Sequence, residues 1–290
     1  MNGLLLIWRY LTSGVCLALV VLAAFSAPAD AEISLNLGRE NFTWSEYSGG
    51  TRLLEENGPR YFFSFGYLQD GDEGALFGYR GKVYGGEVGY DGQTQSGVPV
   101  STTTGYSGML NEFELRYRLP GGVFKGSYSL DAVAGFGLDF WRREIKGTYV
   151  AAVNEFAAGY VEEYLIGFAR LGLELRRGGH GIQMGAGVKL PVYTWEKANL
   201  QTALGTNTDP VLEPGKNMSY YASLGYRFAS PFIAQVTYEG YRFPESPKVP
   251  VTINGVAARV YQPESRMDIV VFSVGYIFGT NGKGEAAPAQ

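Results

Sequence analysis

The chain offers few side chains for catalysis or metal binding. Its single histidine, His180, stands in the segment GGHG, whereas a Ser–His or Asp–His site needs its base within hydrogen-bond reach of a nucleophile or water. Asp70, Asp72 and Glu73 lie together in QDGDEG, but this segment is too short for a calcium loop and has no closing glutamate. We predict a polar turn at both places, and no enzyme active site, metal site or cofactor.

Charged residues alternate with apolar ones along much of the chain. In residues 109–119, Phe113, Leu115 and Tyr117 fall on one face of an extended strand and charged residues fall on the other. The same alternation elsewhere gives seven basic and six acidic residues on polar strand faces, and this near-balance predicts mutual pairing. They are Arg116, Arg118, Lys125, Arg170, Arg176, Lys189, Arg227, Glu112, Glu114, Asp131, Asp139, Glu174 and Glu239.

Ten segments have the period-two pattern of β-strands. They cover about residues 33–44, 60–68, 75–90, 109–119, 123–143, 160–177, 181–195, 218–229, 231–242 and 267–278. Short connections (69–74, 120–122, 178–181 and 230–231) alternate with long ones (about 45–59, 91–107, 144–159, 196–217 and 244–266). Asn254-Gly255 predicts a further hairpin inside the last long connection.

Composition excludes several classes of protein. Glycine makes up 41 of 290 residues, about double the usual share of roughly 7%. A mean hydropathy of −0.06 is too polar for a helical membrane bundle, and a net charge of −4 argues against nucleic acid as a partner. Aromatic residues at 14% and charged residues at 18% suit strands whose two faces meet different surroundings.

Residues 1–31 have the features of a secretory signal peptide. Arg9 precedes an apolar run over residues 15–25, and cleavage is expected near Ala31, with residues 27–29 as a second option. A membrane anchor helix is the alternative, but a spanning helix needs about 20 apolar residues. Cleavage would remove Cys16, the only cysteine, so the mature chain would have no disulfide and no thiolate site.

These features make residues 33–278 resemble a bacterial outer-membrane β-barrel. The final strand is similar to the C-terminal signal that the barrel-assembly machinery recognises in this class, with Val270, Phe272, Val274, Tyr276 and Phe278 in phase. The resemblance implies a ten-stranded antiparallel transmembrane β-barrel (eight or twelve strands are alternatives) over residues 32–278 in the outer membrane. It also implies contact with lipid and lipopolysaccharide, short turns in the periplasm, and a flexible periplasmic tail over residues 279–290.

Whether the lumen is closed or open distinguishes a structural or surface-interaction protein from a channel. A barrel of about eight strands is just filled by side chains, so ten strands favour a paired, mostly closed lumen over a narrow solute path. We expect partners for Glu114 and Arg116 in residues 123–143 and in the strand before residue 91. We also expect an outer aromatic girdle, formed by Trp44, Tyr47, Trp141, Tyr193 and Trp195.

The leading hypothesis for function is a non-enzymatic structural or surface-interaction protein that acts through its long external loops. A narrow porin-like channel is the second hypothesis and an outer-membrane hydrolase is the third. The chain is similar to the omptin proteases in size alone. Their site uses a histidine near the outer face, whereas His180 falls in a short connection assigned to the periplasm.

Overall fold

The computed structural model describes residues 31–69, 71, 74–94, 97–121, 123 and 128–278, and within them ten antiparallel strands form a closed barrel. This confirms the predicted fold class. The strands are β1 (Ala31–Ser48), β2 (Thr51–Gln69), β3 (Gly74–Gln93), β4 (Pro99–Arg118), β5 (Tyr128–Ile145), β8 (Tyr160–Arg177), β9 (Gly181–Ala198), β11 (Ser219–Arg227), β12 (Phe232–Phe243) and β15 (Glu264–Phe278). They pair in chain order, and β15 closes the ring on β1.

The two ends of the barrel differ. One, which we call the turn end, carries the connections after β2, β4, β8 and β11 together with Ala31 and Phe278. The other, the loop end, carries the remaining connections and six small elements. These are β6 (Thr148–Val150), β7 (Glu155–Ala157), α1 (Leu200–Leu204), β10 (Val211–Leu212), β13 (Val249–Ile253) and β14 (Val256–Val260). No helix of the described residues is long and apolar enough to cross a membrane.

The hairpin predicted within the last long connection is present. Strands β13 and β14 pair from Val249↔Val260 to Ile253↔Val256. Asn254 and Gly255 between them have φ values of 49° and 83°, the left-handed conformation that a two-residue hairpin turn requires. Hydrogen bonds of 2.9 and 2.8 Å between Asn207 and Thr252 join this hairpin to the connection after β9. The loop end is therefore a folded layer.

The predicted long connection over residues 91–107 is wrong, because β3 and β4 leave only residues 94–98 between them. The predicted long connection over residues 45–59 is also wrong. Strands β1 and β2 run through it and meet at a tight turn, in which Gly49 and Gly50 have φ values of 56° and 82°. Pro59 suggested a loop because proline has no N–H to donate to a neighbouring strand. In the structure, the β2–β3 ladder skips the residues between Asn57 and Tyr61, so Pro59 lies where that donor is not needed.

Outward-facing side chains form an apolar belt around the barrel. Every strand contributes at least one exposed apolar residue to it, because successive side chains on a strand point to opposite faces. One representative from each strand, in chain order, is Leu37, Phe63, Val83, Leu115, Phe136, Leu171, Met184, Leu224, Val236 and Phe272. Toward the loop end, the outward positions become polar or charged, as at Glu55, Arg142, Glu163 and Lys197.

Aromatic side chains fill the interior in its loop-end half. Trp44 and Trp141 are buried there, so their predicted place in an outer girdle is wrong. Trp141 stacks on Tyr164 with ring centroids 4.9 Å apart, and Tyr241 stacks on Phe243 at 5.6 Å. Trp141 points inward because it lies on the same face of β5 as the inward-facing Asp131 and Asp139.

Glycines on neighbouring strands make room for these large side chains. A Cβ atom on Gly137 would overlap the ring of Phe168, and one on Gly172 would overlap Tyr221. In both cases the aromatic side chain belongs to a neighbouring or nearby strand and covers the glycine backbone. Much of the high glycine content therefore follows from filling a narrow barrel.

We expect the Gly137→Ala substitution to lower the free energy of unfolding by about 1–3 kcal/mol, because Phe168 must leave its preferred position. Gly225→Ala is the matched control, since its new Cβ would lie 3.5 Å from the nearest atom, an ordinary contact. Denaturant unfolding of both variants in detergent measures the difference. Equal midpoints would mean that the interior is not packed against Gly137.

Candidate functional site in the barrel interior

Ion pairs occupy the interior at the turn end. Arg118 donates to Asp131 at 2.9 and 3.1 Å, and Arg227 donates to Glu32 at 2.8 Å. Arg176 lies 3.9 Å from the same Glu32 carboxylate. Arg118 and Asp131 lie on the neighbouring strands β4 and β5, whereas the two pairs of Glu32 join β1 to β11 and β8, which are not its neighbours in the ring.

A larger network lies above them. Arg170 from β8 pairs at 2.8 Å with both Glu112 and Glu114 of β4. Arg116 pairs with Glu114 at 2.6 Å and also with Glu174. Arg80 of β3 links Glu112 at 2.7 Å to Glu239 of β12 at 3.1 Å, and Lys189 lies 3.4 Å from Glu239. This network spans β3, β4, β8, β9 and β12.

Glu114 and Arg116 pair with each other and with Arg170 and Glu174 of β8. The described residues of 123–143 and of the strand before residue 91, where partners were predicted, form no ion pair with them. Strand β5 lies between β4 and β8, but it places Gly135 at the crossing point. A Cβ on Gly135 would lie 3.0 Å from the Arg170 side chain and 3.3 Å from Glu112. Arg170 therefore reaches over β5 because β5 has no side chain there.

Nearer the loop end, charge and aromatic rings combine. Glu40 accepts from Arg60 at 2.9 and 2.7 Å and from Lys82 at 2.7 Å. The Arg60 guanidinium lies 3.9 Å from the ring centroid of Phe42. Asp139 has hydroxyl donors instead, from Tyr84 at 2.8 Å and Tyr241 at 3.0 Å.

Four buried glutamates surround one arginine at the loop end, and we call this set the carboxylate layer: Glu46, Glu56, Arg143, Glu162 and Glu196. Arg143 bonds to Glu56 at 2.9–3.1 Å, to Glu46 at 2.9 Å and to Glu162 at 2.6 Å. The carboxylate oxygens of Glu196 have no hydrogen-bond partner among the described residues.

The structure places twelve of the thirteen sequence-predicted charges inside the barrel and outside its apolar belt; Lys125 lies outside the described residues. Sequence reasoning missed the interior charges Glu32, Glu40, Glu46, Glu56, Arg60, Arg80, Lys82, Arg143, Glu162 and Glu196. Extending the alternation would have found some of them. Arg143 is in phase with Asp139, and Glu162 is in phase with Arg170.

A cavity of about 180 Å³ lies between the charged side chains near the turn end. Its walls include Glu32, Arg80, Arg116, Arg170 and Gln235. A polar cavity of this size has room for ordered water that bridges charged groups. Among the described residues, no group of three histidine, cysteine, aspartate or glutamate side chains is placed to hold a metal ion.

Comparison with known proteins supports the fold. The chain has a TM-score of 0.51 and 14% identity to the outer membrane protease OmpT from Escherichia coli, over 87% of this chain and 98% of that one. It also aligns with the transport unit of the autotransporter AIDA-I from Escherichia coli (TM-score 0.42, 13% identity, 87% and 91% covered). The fold is that of bacterial outer-membrane β-barrels. No protein-family model matches the chain, and no curated protein matches it.

Arg143 and its neighbour Arg142 allow a test of the buried network, because they face opposite sides of β5. We expect Arg143→Met to lower the free energy of unfolding by about 3–5 kcal/mol, since it leaves buried carboxylates without their cation. Arg142 pairs with Glu144 at 2.9 Å and is about one-third exposed, so Arg142→Met should cost about 0–1 kcal/mol. Denaturant midpoints measure both, and similar losses would contradict this assignment.

Proposed function

We propose that the chain is a non-enzymatic barrel of the bacterial outer membrane, with a closed lumen, that acts at the cell surface through its loop end. The apolar belt supports a membrane location, because each strand turns apolar side chains outward and polar ones inward. In this proposal the belt contacts lipid and lipopolysaccharide. Residues 1–31 direct export, and the final strand, Val270 to Phe278, engages the barrel-assembly machinery.

The filled interior carries the proposal of a closed lumen. Trp141, Tyr164 and Tyr241 are fully buried within the loop-end half, and ion pairs cross the rest of the lumen. An open aqueous pore would leave such side chains hydrated. Water-filled channels are typical of barrels with sixteen or more strands, whereas about eight strands leave only enough room for side chains.

The surface of the loop end suits a role in interaction. Tyr149, Phe156 and Val256 on its two small hairpins are exposed by 58%, 68% and 69%. Exposed apolar side chains on a structured support are common at protein interaction sites. The proposed orientation places this end outside the cell and the short turns in the periplasm.

A narrow porin-like channel is the second candidate, and the polar cavity near the turn end favours it. That cavity would be the inner half of a solute path. The path would also need a passage through the aromatic side chains of the loop-end half, at Trp44, Trp141 and Phe243. Conductance measurements separate the two candidates.

We expect the wild-type protein to give no steady conductance in planar bilayers. Glu114→Ala and Arg116→Ala should each lower unfolding stability by about 3–5 kcal/mol, or less where cavity water reaches the remaining partner. Leu115→Ala is the control, since Leu115 lies between them on the outer face. A wild-type channel whose ion selectivity changes in both charge variants, with unchanged denaturant midpoints, would favour the porin-like function.

The membrane location has its own test on β8. Leu173→Arg should cost about 2–4 kcal/mol in lipid vesicles if Leu173 lies near the middle of the bilayer. Val161→Arg faces the same side of the same strand beyond the belt, and we expect it to cost much less. Unfolding in vesicles and in a lipid-free detergent compares them. Equal costs for the two variants in vesicles would contradict contact between the belt and lipid.

A further inference from the structure

Glu196 differs from the other glutamates of the carboxylate layer because, among the described residues, it has no ion pair or hydrogen bond of its own. The nearby Arg143 guanidinium and Tyr164 hydroxyl favour its charged form, but both are bonded to Glu162. The Glu196 side chain is only 1% exposed, and neither carboxylate oxygen accepts a hydrogen bond from a described residue. Glu46, Glu56 and Glu162 share the Arg143 guanidinium and also receive bonds from Trp44, Thr104, Tyr106 and Tyr164. Fully ionised, four glutamates and one arginine would give the layer a formal charge of −3.

The carboxylate layer lies beyond the apolar belt. Glu196 alternates with Trp195 and Lys197, and Arg143 alternates with Arg142 and Glu144, so the outward neighbours at this level are largely charged. The groups that face Glu196 or its acidic neighbours come from several strands. They are Glu46 (β1), Glu56 (β2), Tyr90 (β3), Tyr106 (β4), Arg143 (β5), and Tyr160, Glu162 and Tyr164 (β8).

This environment favours the protonated acid. Removing an unpaired carboxylate from water is costly, and a layer that is already negative adds to that cost. Burial raises the pKa of Glu196 well above its usual range, and the nearby Glu162 and Glu46 raise it further. The Arg143 guanidinium and the Tyr164 hydroxyl lower this pKa, but they offset only part of the rise. Burial also raises the pKa of Glu162, although Arg143 opposes that shift.

A segment of the long connection after β9 pairs with β9 beside Glu196. Strand β10 pairs with the end of β9 so that Leu212 is opposite Glu196 and Val211 is opposite Lys197. Leu212 is buried, and the Thr194 hydroxyl donates to the Pro214 carbonyl at 2.6 Å. Residues 210–214, which we call the covering segment, therefore flank the one carboxylate of this layer that has no hydrogen-bond partner among the described residues.

We propose that Glu196 is a proton-binding site that fastens residues 210–214 to the loop end of the barrel. With the proton bound, the neutral carboxyl group stays buried under Leu212. When the proton leaves for solvent water, the remaining carboxylate requires hydration, and the covering segment separates from β9 to admit water. This inference concerns the loop end alone and holds whether or not the lumen conducts.

The expected pH dependence has a definite sign. The folded state binds this proton more tightly than the unfolded chain does, so the fastened state is most stable below the ordinary glutamate pKa. That stability is lost as the pH rises toward the raised pKa of Glu196. Release of one proton changes the opening equilibrium by up to tenfold for each pH unit within that range.

The test measures trypsin cleavage at exposed Lys216, just after the covering segment, from pH 5.5 to pH 9 in detergent. Cleavage at Lys146, in another connection of the loop end, is the internal reference, because the ratio cancels the pH dependence of trypsin itself. We expect the Lys216/Lys146 ratio to rise severalfold with pH in the wild type. In Glu196→Gln, which stays neutral, the ratio should remain low throughout.

Two further variants keep the result interpretable. Glu163→Gln, on the outward face of β8, should retain the wild-type rise. Glu196→Met introduces a second neutral side chain and should behave like Glu196→Gln. Agreement between the two variants would show that the effect comes from removing the ionisable group and not from a folding defect of one variant. A rise in Glu196→Gln equal to that of the wild type would overturn the proposal. So would a wild-type rise that calcium abolishes and a chelator restores, since a metal ion would then be the occupant.

Discussion

A carboxylate that faces the interior of this barrel loses most of its water, and the arrangement of the lumen depends on replacing that water with donors. Glu40 has Arg60 and Lys82, Glu112 has Arg80 and Arg170, and Asp139 has two tyrosine hydroxyls. The cations are mostly arginines, whose planar guanidinium can serve two carboxylates at once. Arg170 and Arg80 do so here, and each thereby joins strands that are not neighbours in the sheet.

This requirement also governs where small residues occur. Long cations must cross a neighbouring strand to reach their partners, so the strand that is crossed has to present glycine, as Gly135 does under Arg170. The aromatic side chains impose the same condition through Gly137 and Gly172. The glycines therefore serve both the ion pairs and the aromatic packing, because each needs space over a neighbouring strand inside a ten-stranded barrel.

The sequence predicted the barrel because alternation is strong where the outer face is apolar. Leu115 and Leu171 mark the phase of β4 and β8, and the inward charges follow from it. Prediction failed at the loop end, where the outer face becomes polar and no longer marks the phase of the strands: Glu56 and Glu196 fell in segments predicted as loops. Trp44 was misplaced because the phase of β1 was followed only through Leu37. The pairing of Glu114 with Arg170 could not be predicted from the periodicity of one strand, because it depends on Gly135 of the intervening strand having no side chain.

The two halves of the interior follow the rule of paired charge to different degrees. Near the turn end, carboxylates and guanidiniums line a small polar cavity, which has room for water to bridge groups that pair imperfectly. Near the loop end, Trp141, Tyr164 and Phe168 exclude water, and pairing has to be complete within the protein. Among the described residues, Glu196 has no hydrogen-bond partner in the half that tolerates this least, and residues 210–214 pair with its strand beside it. Local rules are most often broken at positions with a function, so this departure directs attention to the loop end of the barrel rather than to its lumen.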